Sequence, residues 1–322
     1  MRTFVLRRLF ITIGVVFGTT LLVFFLTRVM PGDPIKTMLA SAQVADPALV
    51  EEYRHAYGLD QPLPVQYLRW LWNVMHGNLG RSIQSSQQVT AALGRAFQAT
   101  SILALGGMLT AVLAGIVMGA LGAFVAVGRR HPILAQVTGL APLILTTIPP
   151  FSLGLFLIIL LAVKVRLFPP VGMYSVRNPG AGDLLWHLVL PTLTMAAASA
   201  GATARVARSA LLEVLREDYI RTAHAKGLHE RMVLFQHALR NALIPVVTNT
   251  GIMFGSMLSG AVLVESVFAW PGLGKLMVDA ILRRDYPIIE GGTLLIALIY
   301  VAANLLVDVS YAFIDPRIRY GR

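Results

Sequence analysis

The sequence predicts an all-α integral membrane protein with six transmembrane helices. Three observations carry that prediction: an apolar composition, six apolar runs long enough to cross a bilayer, and an uneven placement of lysine and arginine around them. Of the 322 residues, 56% are hydrophobic and 13% charged, with a mean hydropathy of +0.69. Soluble proteins carry about 25% charged and 45–50% apolar residues, so the balance fits a chain whose solvent is lipid. The chain has no cysteine, which excludes a disulfide framework or a thiolate metal site. A net charge of +11 favours nucleic-acid binding in a soluble protein. Here the charges lie between apolar runs, so topology accounts for them and no nucleic-acid partner is expected.

A membrane-spanning helix needs about 20 apolar residues. Leu9–Thr27, Phe97–Val127, Ile133–Val163, His187–Ala204, Ala242–Leu263 and Ile289–Tyr311 qualify. The second and third are long enough to include tilted or extramembrane turns. The first run is too long for a signal peptide, and no small-residue cleavage site precedes Arg28, so it reads as a retained helix.

Lysine and arginine orient the spans. With a cytoplasmic N-terminus, segments 1–8, 128–132, 205–241 and 312–322 lie inside and hold 15 Lys/Arg in 61 residues. Segments 28–95, 164–186 and 264–288 lie outside and hold 12 in 116. Both termini are then cytoplasmic. The expected organisation is an N-terminal transmembrane helix (1–29), an external region (30–95), a five-helix core (96–311) with a cytoplasmic loop at 205–241, and a tail (312–322). The external region carries turn signals at Pro31-Gly32-Asp33-Pro34 and Gln61-Pro62-Leu63-Pro64. Its aromatic stretch, Tyr67, Trp70 and Trp72, is expected at headgroup level.

Gly115 and Gly119 form a GxxxG pair in the second span, as do Gly251 and Gly255 in the fifth. Small residues let backbones approach where no hydrophobic drive exists, either within this chain or at a seam with a partner. Pro142, Pro149 and Pro150 interrupt the third span and free backbone groups that need other partners. They kink a helix that lines a path, or simply bend a bundle helix. Asn249, Asn304 and Asp308 are polar positions in the last two spans. An intramembrane ionisable group is a functional candidate by default, but Asp308 lies near the cytoplasmic end, where an interfacial carboxylate is ordinary.

Segment 205–241 reads as short capped helices. Asp218 is placed to N-cap a helix through Tyr219, Ile220, Arg221, Thr222, Ala223, His224, Ala225 and Lys226, with Gly227 just past its end. A second helix starts near His229, with Glu230 in its first turn and Arg240 near its end. A helix of about nine residues is not stable alone in water, so the first needs a surface: an anionic leaflet or a groove on a soluble partner.

Two chemical decoys fail. Gly272-Leu273-Gly274-Lys275 lacks the first glycine and the final Ser/Thr of a phosphate loop, where Ala269 and Leu276 stand. His229-Glu230 lacks the second histidine of a zinc-protease helix, since position 233 is Val. Neither a Ser–His–Asp set nor a carboxylate pair emerges, so an intramembrane enzyme is disfavoured, and a passive channel finds no continuous polar face.

The run Tyr219-Ile220-Arg221-Thr222-Ala223-His224-Ala225-Lys226-Gly227-Leu228, followed by His237-Ala238-Leu239-Arg240-Asn241-Ala242-Leu243-Ile244-Pro245, resembles the ATPase-coupling loop of ABC importer permeases. The step of 18 positions from Gly227 to Pro245 matches the dipeptide/oligopeptide form of that family. Arg221 and Thr222 fit that form, whereas His224 stands where arginine is more usual. Pro31-Gly32-Asp33-Pro34, Gly58-Leu59-Asp60-Gln61-Pro62, Gly77-Asn78-Leu79-Gly80-Arg81-Ser82, Trp270-Pro271-Gly272-Leu273-Gly274, Arg284-Asp285-Tyr286-Pro287 and Asp315-Pro316-Arg317-Ile318-Arg319 are similar to further motifs of the family. The loop between the third and fourth spans is short, whereas some dipeptide permeases carry a large insertion there.

The resemblance implies a type I ABC importer permease fold in a bacterial inner membrane. It implies one half of a heterodimeric pore made with a second permease, driven by two ATPase subunits that bind the ATP and Mg, and fed by an extracytoplasmic solute-binding protein. No cofactor is expected in this chain. Tyr219, Arg221, Thr222, Ala223, Ala225, Lys226 and Gly227 are the implied ATPase contacts. Region 30–95 and loop 264–288 would meet the binding protein. The implied solute is peptide-like, with glutathione or a nickel complex as alternatives on the same scaffold.

Overall fold

The computed structural model describes residues 2–29, 32–41, 46–128, 132–177, 179–229 and 232–314. The secondary structure there is helical apart from one isolated β-bridge between Arg81 and Gln88. In chain order the helices are α1 (Arg2–Val29), α2 (Pro34–Ser41), α3 (Pro47–Ala56), α4 (Leu63–Met75), α5 (Val89–Gly128), α6 (Pro132–Thr147), α7 (Pro150–Leu157), α8 (Ala181–Val214), α9 (Asp218–Ala225), α10 (Arg240–Val267), α11 (Leu273–Arg283) and α12 (Tyr286–Ile314). Two π-helical stretches, Ile158–Lys164 and Val233–Leu239, extend α7 and lead into α10.

The chain forms two compact units, Met1–Ala99 with Gly272–Arg322, and Thr100–Pro271. In the first, α1 packs along α12, and α11 packs on α12 and α2. Its core gathers Ile35, Leu39, Ile83, Val89, Leu93, Leu273, Tyr286 and Ile289. Two of the aromatic residues of α4, expected at headgroup level, are used in packing. Tyr67 is buried, its ring 5.3 Å from that of Phe24 on α1, and its hydroxyl lies 3.2 Å from Thr20 Oγ1. Trp70 stacks on Tyr67, while Trp72 stays exposed.

In the second unit α8 is the central element, packed by α10, α6 and α7. Small residues make this possible. A Cβ at Gly115 would fall 2.5 Å from Thr203 Cβ, and one at Gly119 would fall 2.7 Å from the carbonyl of Ala204. The Gly115/Gly119 pair is therefore a packing seam within this chain, set by close backbone approach. The opposite face of α5 exposes Leu105, Leu109, Leu113, Val117 and Leu121, one turn apart, an apolar stripe suited to lipid. The side chains of the region holding Gly251 and Gly255, and those of Asn304 and Asp308, lie outside the described residues, as do Pro31, Glu230 and the tail from Asp315.

Five of the six predicted spans each fall on one helix: α1, α5, α8, α10 and α12. The third does not. Its residues divide between Pro132–Thr147 and Pro150–Lys164, which meet at an angle of 105°. Pro149 and Pro150 sit at that break, one as the N-cap of α7 and the other at its first position, where proline is tolerated. Pro142 is accommodated inside α6. Among the described residues, two helices alone are long and apolar enough to cross a membrane, or four if each bent pair is one span. The helix of span four also outruns its sequence boundary, since α8 continues to Val214, so the first ten positions of 205–241 are helix rather than loop.

Candidate functional site

Three residues separate the end of α8 from α9. Ile220 N–H and Arg221 N–H donate to the carbonyl of Glu217 at 3.1 and 3.4 Å. Glu217, in extended conformation, is the N-cap residue and makes no side-chain cap. Asp218 is thus the first helical residue and not the cap, because its backbone already lies inside the turn. Its carboxylate still sits at the positive end of the helix, and Arg221 Nη1 lies 3.5 Å from it.

The C-terminus follows the sequence expectation closely. Lys226 is the C-cap and Gly227 takes φ +74°. Gly227 N–H donates to His224 O at 2.9 Å, and Leu228 N–H to Ala223 O at 3.3 Å. These two bonds form a Schellman motif, in which a left-handed glycine satisfies carbonyls that the helix leaves open.

A surface for α9 comes from its own chain. Ile220 and Ala223, three residues apart and so on one face, are 2% and 7% exposed. They enter a cluster with Ala123 of α5, Ala210 and Leu211 of α8, Val233 and Ala238 of the π-helical stretch, and Ala242 of α10, with Leu228 packed alongside. Burying the isoleucine contributes about 1.5–3 kcal/mol, enough to fix a helix too short to hold itself. Asn241 Nδ2 adds a tie to the Tyr219 hydroxyl at 2.9 Å.

Of the seven residues expected to meet a partner, Tyr219, Arg221, Thr222, Ala225, Lys226 and Gly227 are exposed. Ala223 faces the chain's own interior and anchors the helix. His224 is exposed, with its ring Nδ1 held 3.0 Å from Ile220 O. The second helix expected near His229 has no end at Arg240. The π-helical stretch runs straight into α10, so α9 rests between two long helices, α8 before it and α10 after it.

Among the described residues, several of the other motifs singled out in the sequence lie in the first unit, where they are largely internal braces. Asp33 accepts from the amides of Ile35 and Lys36 and pairs with Arg54. A Cβ at Gly32 (φ +109°) would strike the guanidinium of Arg284, which also donates to Thr37 Oγ1 at 3.1 Å. Asp285 is buried and holds Ser82 Oγ and the Ile83 amide. Arg28 reaches Glu290 Oε1 at 2.7 Å and Gln66 Oε1 at 3.0 Å, with its guanidinium 4.4 Å from the centre of the Phe24 ring. Sequence reasoning expected region 30–95 and loop 264–288 to meet a binding protein and missed the pairing of residues in and beside them. Partners 200 or more residues apart, such as Ser82–Asp285 and Arg28–Glu290, leave no local pattern.

Residues 111–320 match the family described as binding-protein-dependent transport system inner membrane component, and residues 1–106 match the N-terminal family of the same membrane components. The chain is 40% identical to the di/tripeptide transport system permease protein DppB of Pseudomonas aeruginosa, over the whole of both chains. It is 40% identical to the dipeptide transport system permease protein DppB of Escherichia coli K12, again over all of both. It is equally 40% identical to the glutathione transport system permease protein GsiC of Pectobacterium atrosepticum, over 99% of this chain and all of that one. A solved amino acid ABC transporter shares the fold, with a TM-score of 0.50 at 15% identity over 71% of this chain and 94% of that one.

Proposed function

We propose, from the premise that this chain belongs to the family of binding-protein-dependent transport system inner membrane components, that it carries short peptides across a bacterial inner membrane. The chain is a permease subunit of an ABC importer and not an enzyme. In this reading it crosses the membrane six times with both termini in the cytoplasm, and forms half of the pathway with a second permease. Two separate ATPase subunits bind ATP and Mg, and a solute-binding protein delivers the cargo from outside.

The observation that carries the reading is the build of α9. A short helix is anchored from behind by Ile220 and Ala223, locked at its end by Gly227, and left open on the face bearing Tyr219, Arg221, Thr222, Ala225 and Lys226. Such a helix transmits a push without melting, since its buried face holds it to α8 and to the start of α10. Closure of an ATPase dimer on ATP binding would shift α9 and, through that cluster, the two long helices beside it. Hydrolysis would let them return.

Relatives at equal identity are named for dipeptides and for glutathione, and glutathione is itself a tripeptide, so a peptide-like cargo covers both. The test is uptake in a bacterial strain lacking this chain. Restored import of labelled dialanine by the wild-type gene supports the peptide reading. Restoration of labelled glutathione alone assigns the second cargo, and restoration of neither refutes both.

A further inference from the structure

The first unit contains a cavity of about 160 Å³ between α1, α4, the loop through Gly80 and the start of α12. A single water occupies about 30 Å³ of liquid volume, so the space takes a group larger than one solvent molecule. Its lining is unbalanced in charge, with Arg28, Arg69 and Arg81 against the lone carboxylate of Glu290. The Oε1 of that carboxylate accepts from Arg28 Nη1 at 2.7 Å and from Thr27 Oγ1 at 3.3 Å. Arg69 has no ion pair or hydrogen bond among the described residues. Arg81 makes one long bond, to Ser86 O at 3.3 Å.

A second, independent observation comes from Trp70, also in the lining. Its indole Nε1–H is buried and has no hydrogen-bond partner among the described residues. A buried donor left unpaired costs about 1–3 kcal/mol, and such groups in native structures call for an acceptor. Tyr57 adds a hydroxyl whose titration burial pushes above the ordinary value of 10.0, so it stays protonated. Gly58 and Gly80 turn the lining loops at φ +66° and +80°. A Cβ at Gly58 would come 3.3 Å from Arg69 Nη1, so glycine there leaves the guanidinium its room.

We propose that this cavity is a carboxylate-binding subsite, in which Arg69, Arg81 and the indole N–H of Trp70 receive a carboxylate that none of the described residues supplies. Glu290 is not that acceptor: its Oε1 is held by Arg28, and the Trp70 indole has no partner among the described residues. A planar guanidinium and a neutral N–H donor suit a carboxylate better than a bare halide, since guanidinium geometry matches its two oxygens. The carboxylate has two sources, the C-terminus of a short peptide or an acidic side chain of the solute-binding protein. Naming the first source rests on the transport function above; the subsite itself does not.

The test uses the full chain in lipid nanodiscs with ¹⁵N-labelled tryptophan. Four tryptophans give four indole signals, and Trp70→Phe, which keeps the ring against Tyr67, identifies the one that matters. The full chain is titrated with acetate, dialanine, dialanine amide and, separately, ligand-free solute-binding protein. The proposal expects the Trp70 signal to move downfield and saturate with acetate, and with dialanine or the binding protein, but not with the amide. Arg69→Gln should raise the midpoint about tenfold or more, as loss of a charge-assisted hydrogen bond does, while Arg283→Gln, the same charge change elsewhere on the unit, leaves it in place. Movement with acetate and the binding protein but not dialanine keeps the subsite and assigns its ligand to that protein, whatever becomes of the peptide reading. A signal indifferent to every carboxylate, or equally responsive to the amide, overturns the proposal and leaves an ordered water as the indole's partner.

Discussion

Asp285 holds Ser82 across 203 positions of sequence, accepting a hydrogen bond from its hydroxyl while the other carboxylate oxygen takes the Ile83 amide at 3.1 Å. This pairing pins the loop before α5 to the turn between α11 and α12. Burial pushes the Asp285 carboxyl above its ordinary 3.8, against the hydrogen bonds from Ser82 and the amides of Ile83, Gln84 and Ile288. A raised carboxyl binds its proton more tightly when folded, so its stabilising effect is fully present below pH 3.8 and fades as pH climbs through the folded value. At neutral pH that contribution is gone, and what Asp285→Ala removes is the acceptor for Ser82 Oγ and the Ile83 amide; leaving these buried donors unpaired should cost about 1–3 kcal/mol. Asp285→Asn, which keeps an acceptor without the charge, should cost less. Thermal unfolding in detergent, followed by tryptophan fluorescence, measures both.

Asp33 shows the opposite sign. Burial works to raise its carboxyl, but the Arg54 guanidinium and the amides of Ile35 and Lys36 outweigh it and hold the group below 3.8. The stability it contributes is present above pH 3.8 and is lost as pH falls through the lower folded value. Arg54→Gln should move that loss to higher pH and weaken its dependence on salt. Because Arg54 is a third exposed, the effect at neutral pH should be about 1 kcal/mol or less. Unfolding midpoints collected down an acid series, at low and high salt, check it.

The contrast between α9 and the third predicted span shows what the sequence carries. The stop at Lys226-Gly227 was legible because a left-handed cap has a local cause and a local residue. The long apolar runs likewise announced most of the helices, since a chain in lipid must satisfy its backbone within each segment. What the runs did not show was continuity. Ile133–Val163 reads as one apolar stretch interrupted at Pro142, Pro149 and Pro150, but the sequence did not show that Pro142 stays inside α6 while Pro149 and Pro150 mark a turn of 105°, because hydropathy is blind to direction. The inward turn of Ala223 was equally hidden. Alanine is small enough for either face, and only the buried Ile220 beside it, packed on residues from α5, α8 and α10, decides which way the helix lies. In the first unit the glycines and charges of the motifs were visible, but their use as braces depends on partners far away in sequence.

The seam between α5 and α8 makes a separate prediction. Gly119 leaves no room for a side chain, with the Ala207 Cβ 2.7 Å from where its own Cβ would stand. Gly119→Leu should force the helices apart and cost about 1–3 kcal/mol or more, as overpacking does. Gly94, with nothing within 4 Å of an added Cβ, is the matched control, and Gly94→Leu should leave the unfolding midpoint close to the wild type.

Gly227 separates strain from collision. Nothing lies within 4 Å of a Cβ placed there, yet φ is +74°. Gly227→Val should thus act through backbone strain alone, about 1–2 kcal/mol, loosening the end of α9. Solute uptake should collapse while the chain still inserts in the membrane at normal levels. Gly227→Asn, which tolerates the left-handed region, should restore much of the uptake.

The measurement closest to the centre of this account is a cross-link from the exposed face of α9. With Ala225→Cys in the assembled importer in native membranes, a short thiol-to-amine reagent should join this chain to an ATPase subunit, with a yield that changes when ATP is bound. A cysteine at the buried position, Ala223→Cys, should give little. Reaction of residue 225 with phospholipid amines alone, in the presence and absence of ATP, would contradict the account.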